Sequence, residues 1–141
     1  MTIAFILIVI HYIADFMFQD EDMALGKSKS IKQLLRHTIT YTFVFFVFFM
    51  LFIFCAIFYL YQLNLGIMEN IEYTYKILLF FPITFACHTI IDYFTSKIVS
   101  KKFKNKIFYT GIPNLGAFSI IGFDQVLHYA TLFLTYTFVI N

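Results

Sequence analysis

Apolar residues in this chain come in long runs, not in alternation with polar ones, and four runs stand out. The first extends from Met1 to about Gln19, with no charge before Asp15. No basic residue precedes it and no small-residue cleavage pattern follows, so it reads as a retained span and not a signal peptide. Before the second run, Ser30-Ile31-Lys32-Gln33 has the form of a capping box, which predicts a helix from Ile31. No charged residue lies between Thr38 and Met68. About 20 apolar residues cross a bilayer, so a helix over 31–62 has length to spare before Asn64-Leu65-Gly66 breaks it. The third run covers 76–97, with Pro82 tolerable in its first turns. Gly111, Pro113, Gly116 and Gly122 mark 107–122 as an interfacial or re-entrant stretch, with room for a short interfacial helix. A helix over 120–141 then crosses last. The predicted architecture is an all-α, integral membrane four-helix bundle in a single domain, 1–141, with spans over about 2–19, 31–62, 76–97 and 120–141.

Composition agrees with that class. Hydrophobic residues make up 61% of the 141 and charged residues 13%, against roughly 45–50% and about 25% in ordinary globular proteins. A soluble fold of this size could not hide that much apolar side chain. Two Cys, both inside apolar runs, exclude a secreted disulfide scaffold, and the hydrophobicity excludes disorder. A net charge of +2, with basic residues flanking apolar segments, speaks against a nucleic-acid partner. The Phe-rich stretch over 43–58 covers all helix faces and is read as lipid exposure and packing. Cys55 and Cys87 are read as inert thiols, Cys87 facing away from its neighbour His88.

Charge in the connections sets an expected orientation. The first carries Lys27, Lys29, Lys32 and Arg36; the third carries Lys97, Lys101, Lys102, Lys104 and Lys106; the middle one carries Glu69 and Glu72. Both basic connections should be cytoplasmic and both termini outside. Tyr59, Tyr61, Tyr73 and Tyr75 then fall at the outer interface, where Tyr prefers to sit.

The informative residues are the ionisable ones inside the runs. His11, His37, His88 and His128 are the four histidines, and all lie in spans. Three have an aspartate four residues away: His11 with Asp15, His88 with Asp92, and His128 with Asp124. Residues at i and i+4 share a helix face. The order reverses in the last span, which runs the opposite way. With inner borders near 19, 96 and 120, the Asp residues lie roughly 6 Å deep and the His residues roughly 12 Å, at 1.5 Å per residue. His37 falls at the mouth of the same region. Each ionisable group in a span costs about 2.5–3.5 kcal/mol on insertion scales, so six of them must face the bundle interior. A single such pair would read as an internal hydrogen bond or interhelical glue; three at matched depth point to a site. Imidazole and carboxylate together suit a divalent metal, zinc first, with one or two ions. The expected ligands are His11, His88 and His128, completed by one or more of Asp15, Asp92 and Asp124. Another Asp would act as a catalytic base or would orient a ligating His, with His37 assisting at the mouth.

The ordered set His11-x3-Asp15-Phe16-x2-Gln19, Lys27, His37, His88-x3-Asp92, Lys97 and Asp124-Gln125-x2-His128 resembles the signature of a small family of bacterial and phage membrane proteins. That family is catalogued as domain of unknown function three-three-zero-seven. The resemblance spans nearly the whole chain. It implies a multi-span protein of the bacterial inner membrane whose marked residues form one site, and it implies no particular reaction. It also marks Gln19, Lys27, Lys97 and Gln125 as substrate or supporting residues. Gln19 continues the His11/Asp15 face, Gln125 next to Asp124 points elsewhere on its helix, and both amides could hydrogen-bond an Asp or a substrate. Lys27 could close over the site, although its loop position is first a topology signal. Lys97, at the inner border, reads first as a snorkelling side chain and second as a contact for lipid phosphate or an anionic substrate. The functional reading that follows is a metal-dependent hydrolase of a lipid or other membrane-embedded substrate. A proton or metal-ion transport protein, or a non-enzymatic effector with a structural metal, remains open beside it. Membrane lipids and a homo-oligomer are the expected partners.

Overall fold

The computed structural model describes residues 2–63, 71–106 and 116–140, and these are almost entirely helical. Five α-helices follow one another: α1 (Thr2–Tyr12), α2 (Glu21–Gly26), α3 (Ile31–Gln62), α4 (Ile71–Lys104) and α5 (Ala117–Thr135). A five-residue π turn, Ile13–Met17, continues α1, and a second, Tyr136–Ile140, continues α5. Segments of α3, α4 and α5 are long and apolar enough to cross a membrane, and the apolar stretch Ile3–Met17 is shorter.

Local chemistry explains most boundaries. Helix α3 begins at Ile31, where the capping-box pattern predicted it, but the Ser30 side chain makes no cap hydrogen bond. The Gln33 side chain lies instead against Gly26 at the end of α2. A methyl group placed on Gly26 would come 2.7 Å from Gln33 Cγ, so the close approach of α2 to α3 requires glycine there. Helix α4 runs well past the expected end at residue 97, because nothing between Ser96 and Lys104 breaks it. Lys97, Lys101, Lys102 and Lys104 therefore stand on helix and not in a loop. The chain then turns at Lys106, whose φ is 56°. Helix α5 begins three residues earlier than expected, after Gly116 in extended conformation. The expected break at 64–66 and residues 107–115 of the proposed interfacial stretch lie outside the described residues.

Helix α4 packs most extensively on α5 and then on α3, while α1 with its π turn packs on α3 and touches α5 only lightly. An apolar cluster of Leu7, Ile10, Ala14, Tyr41, Val44, Phe45, Phe80 and Leu132 fills the middle of this arrangement. On the α2 side of that cluster the interior turns polar. His11, Asp15, His37, His88, Asp92, Asp124 and His128 are all buried there.

Candidate metal centre

Each element brings its site residues in for a local reason. In α3, Leu34, His37, Thr38, Tyr41, Val44 and Phe45 are buried, a stripe at helical spacing that aims the His37 ring inward. In α4, His88 and Asp92 lie one turn apart on the face turned to both α3 and α5. In α5, Asp124 and His128 repeat that pairing. Asp15 sits in the π turn, a local widening of the helix that often marks functional positions.

Four of these side chains converge on one point. His37 Nε2 lies 3.1 Å from His88 Nε2, 3.1 Å from Asp15 Oδ1 and 2.9 Å from Asp92 Oδ2. His88 Nε2 lies 3.6 Å from Asp15 Oδ1 and 3.5 Å from Asp92 Oδ2. Around a tetrahedral ion with bonds of about 2.0–2.1 Å, ligand atoms stand about 3.3 Å apart, and these five separations bracket that value. Asp15 Oδ1 is fully buried, and the two imidazole nitrogens that face it at 3.1 and 3.6 Å make no well-aligned hydrogen bond to it. A carboxylate oxygen left so is costly unless a cation is its partner. Asp15, His37, His88 and Asp92 could hold a metal ion in this arrangement, and Asp92, Asp124 and His128 form a second group that could. Asp92 belongs to both: Oδ2 faces His37 and His88, while Oδ1 lies 3.6 Å from His128 Nε2. Asp124 Oδ1 is 3.5 Å from the same His128 nitrogen and accepts a 2.5 Å hydrogen bond from Thr95.

The surroundings sharpen the expectation in three places. His11 is outside both groups. Its Nδ1 lies 2.9 Å from the Tyr41 hydroxyl and its Nε2 lies 2.8 Å from Gln125 Oε1. One neutral tautomer satisfies both, donating to the amide oxygen and accepting from the phenol, so both ring nitrogens are engaged, and His37 rather than His11 stands in the group with Asp15, His88 and Asp92. Gln125, read as able to bond an Asp, donates to Asp15 Oδ2 at 3.1 Å and, although it neighbours Asp124 on the helix, also to Asp124 Oδ2 at 3.2 Å. It ties α5 to the π turn. Lys27 leaves the topology role and enters the site: Nζ donates to both Asp92 oxygens, at 3.2 and 3.1 Å. It is delivered there by α2, whose first turn is capped by Asp20 through a 2.8 Å bond from the Met23 N–H. Burial pushes its ammonium toward neutrality, but Asp92, Asp15 and Asp124 outweigh that and hold its pKa above the ordinary lysine value.

Tyr41, Thr84 and Thr95 were not singled out from the sequence. Tyr41 stacks on His88 with ring centroids 3.7 Å apart, and lies one turn beyond His37 on the same helix face. Thr95 is three residues after Asp92, which was the available signal. Lys97 is not part of the site; its ammonium lies 3.4 Å over the Tyr93 ring. Gln19 borders a cleft with Oε1 buried and unpartnered. Cys87 is half-buried and free, outside both metal groups.

That cleft has a volume of about 400 Å³ and lies at the α2 end. Asp15, Asp92 and Asp124 line it together with Phe16, Leu25 and Phe103, so a polar interior meets apolar walls. It runs along the lightly packed seam between the π turn and α5. Among the described buried groups, three carboxylates face one ammonium, which leaves two negative charges if the imidazoles are neutral. One divalent cation, or two imidazolium rings, would cancel them. Comparison with protein-family models, curated proteins and solved structures gave no match to this chain, so the functional reading stands on this geometry.

Proposed function

We propose that the chain is a four-span membrane protein that binds one divalent metal through Asp15, His37, His88 and Asp92 and hydrolyses a lipid or other membrane-embedded substrate. The observation that carries this reading is the buried cluster of four candidate ligand atoms beside an amphipathic cleft. Mixed imidazole and carboxylate donors without thiolate favour zinc in a catalytic setting. Bound there, such an ion supplies Lewis acidity toward water or a substrate oxygen. The protein's own groups do the rest. Asp124 sits at the cleft, held by Thr95 and Gln125, and is placed to take a proton from an incoming water. Tyr41 and the His11–Gln125 pair fix the orientation of His88 and Asp15. The walls formed by Phe16, Leu25 and Phe103 receive the apolar part of the substrate.

The bilayer setting follows from the basic α2 end. With that end cytoplasmic, the cleft opens into the inner leaflet and both termini face outward. Membership of the family of unknown function named above, and a bacterial inner-membrane location, belong to the same reading. Self-association would thicken the thin shield around the polar interior. Ion transport is the competing reading, favoured by the buried hydroxyls of Thr84 and Thr135, which extend polarity beyond His88 and His128. The seal of Leu7, Ile10, Val44, Phe45 and Phe80 opposes it.

Elemental analysis of detergent-purified protein tests the first step. One ion per chain is expected in wild type, and none in His88→Ala or Asp92→Asn. Metal-free wild type after growth in zinc-supplemented medium overturns the metal reading. Hydrolysis of radiolabelled bacterial lipid extract in mixed micelles, abolished by chelator and by His88→Ala, is the enzyme's expected signature. Chelator-sensitive ion flux through liposomes with no lipid product would replace hydrolysis with transport.

A further inference from the structure

Two metal groups share Asp92, yet a lysine already sits on that carboxylate. The second group, Asp92, Asp124 and His128, has a buried ring nitrogen without a hydrogen-bond partner, His128 Nε2. Its separations of 3.6 Å to Asp92 Oδ1 and 3.5 Å to Asp124 Oδ1 again suit ligands of one ion. A carboxylate offering one oxygen to each of two neighbouring groups has the form of a bridging ligand. The Lys27 side chain is only 16% exposed, and its ammonium contacts both of the Asp92 oxygens.

We propose that Lys27 acts as a built-in second cation: its ammonium takes the charge position of a second metal beside Asp92 and keeps the centre mononuclear. This rests on the metal reading above and adds the stoichiometry and the residue that sets it. Electrostatics supports it. One divalent ion together with Lys27 balances the three carboxylates. Two divalent ions with the lysine in place would leave two excess positive charges in the interior, a costly state at low dielectric. Without the ammonium, two ions leave one excess positive charge, which a single bound hydroxide or anionic substrate group cancels. A flexible lysine at the end of a six-residue helix is also a removable cation. Outward movement of α2 would free the Asp92 oxygens to accept a hydrogen bond from a substrate hydroxyl.

Metal content decides this without any activity assay. Wild type, Lys27→Met, Lys27→Gln and Lys27→Met with Asp124→Asn are purified in detergent, dialysed against equal zinc and analysed for bound ions, with helicity and melting recorded for each. The expected counts are one ion in wild type, two in Lys27→Met and in Lys27→Gln, and one in the double variant. A folded Lys27→Met or Lys27→Gln protein that still holds one ion overturns the inference and leaves the mononuclear reading standing. Two ions in wild type overturn it as well, since the lysine then excludes nothing. Zero ions in wild type sink the metal reading itself, a result separate from either. Lys27→Gln keeps much of the side-chain length and hydrogen bonding, so it answers the question if the methionine variant does not fold.

Discussion

Helix α3 is two different objects joined end to end. Its first half buries a helical stripe from Leu34 to Phe45 that includes His37 and Tyr41. Its last three turns carry Phe52, Phe54, Phe58, Tyr59 and Tyr61, all exposed. In a water-soluble protein the apolar half would be inside. Here the buried stripe of α3 joins the apolar cluster to the ionisable groups, while its aromatic far end is left uncovered. That is the economy expected in hydrocarbon, where exposing Phe costs nothing and exposing Asp is prohibitive. The lesson is that in this chain the polar residues position the helices, and the aromatic residues fill what remains.

Substitutions along that divide test it, and they differ widely in size. Asp92→Asn has the largest expected effect, removing the ligand common to both groups and the partner of Lys27: bound metal should fall to none by elemental analysis. Phe45→Ala, in the buried half of α3, should cost about 3–5 kcal/mol, read from melting in detergent. Gln125→Leu strands Asp15 Oδ2, Asp124 Oδ2 and the His11 ring together, for about 2–3 kcal/mol. It should also loosen metal binding about 10–100-fold, as loss of a supporting hydrogen bond does, measured by competition with a chromophoric chelator. Gly26→Ala forces the Gln33 side chain away and should cost about 1–2 kcal/mol, again by melting. Phe52→Ala, seven residues from Phe45 in the same helix, should shift stability by less than about 0.5 kcal/mol. If Phe52→Ala and Phe45→Ala cost the same, the division of α3 is wrong.

The sequence was informative in proportion to how improbable each residue was in its setting. A histidine and an aspartate one turn apart in an uncharged run are conspicuous because the bilayer penalises them, so the pairs at 88/92 and 124/128 were legible at once. The extent of α3 was legible too, from the polar turn before Ile31 and the unbroken run after it. Which histidine joins the ligand atoms was not. At fixed i, i+4 spacing, His11 and Asp15 look equivalent to the other pairs, yet a π turn separates their directions, and no residue type announces such a turn. Gln125 was legible as an amide able to bond an Asp, but not which Asp it reaches, for a related reason. A side chain adjacent to Asp124 on a helix wheel points about 100° away, but its amide is long enough to return and meet Asp15 across the seam. The role of Lys27 depended on α2, six residues whose placement hangs on Gly26 and the Asp20 cap.

The widened turn at Ile13–Met17 has a consequence for the first helix as a whole. The backbone bond from the Phe18 N–H to the Ile13 carbonyl spans five residues where a regular helix spans four. The portion before it is thereby phased separately from the portion after it. His11 can face the phenol and the amide while Asp15 faces the imidazoles of His37 and His88, a combination one uniform screw would not deliver. Shortening this stretch by a single residue would restore uniform winding and oblige the helix to surrender one set of neighbours. A deletion, more than any exchange of side chains, is therefore the change this segment is least able to absorb.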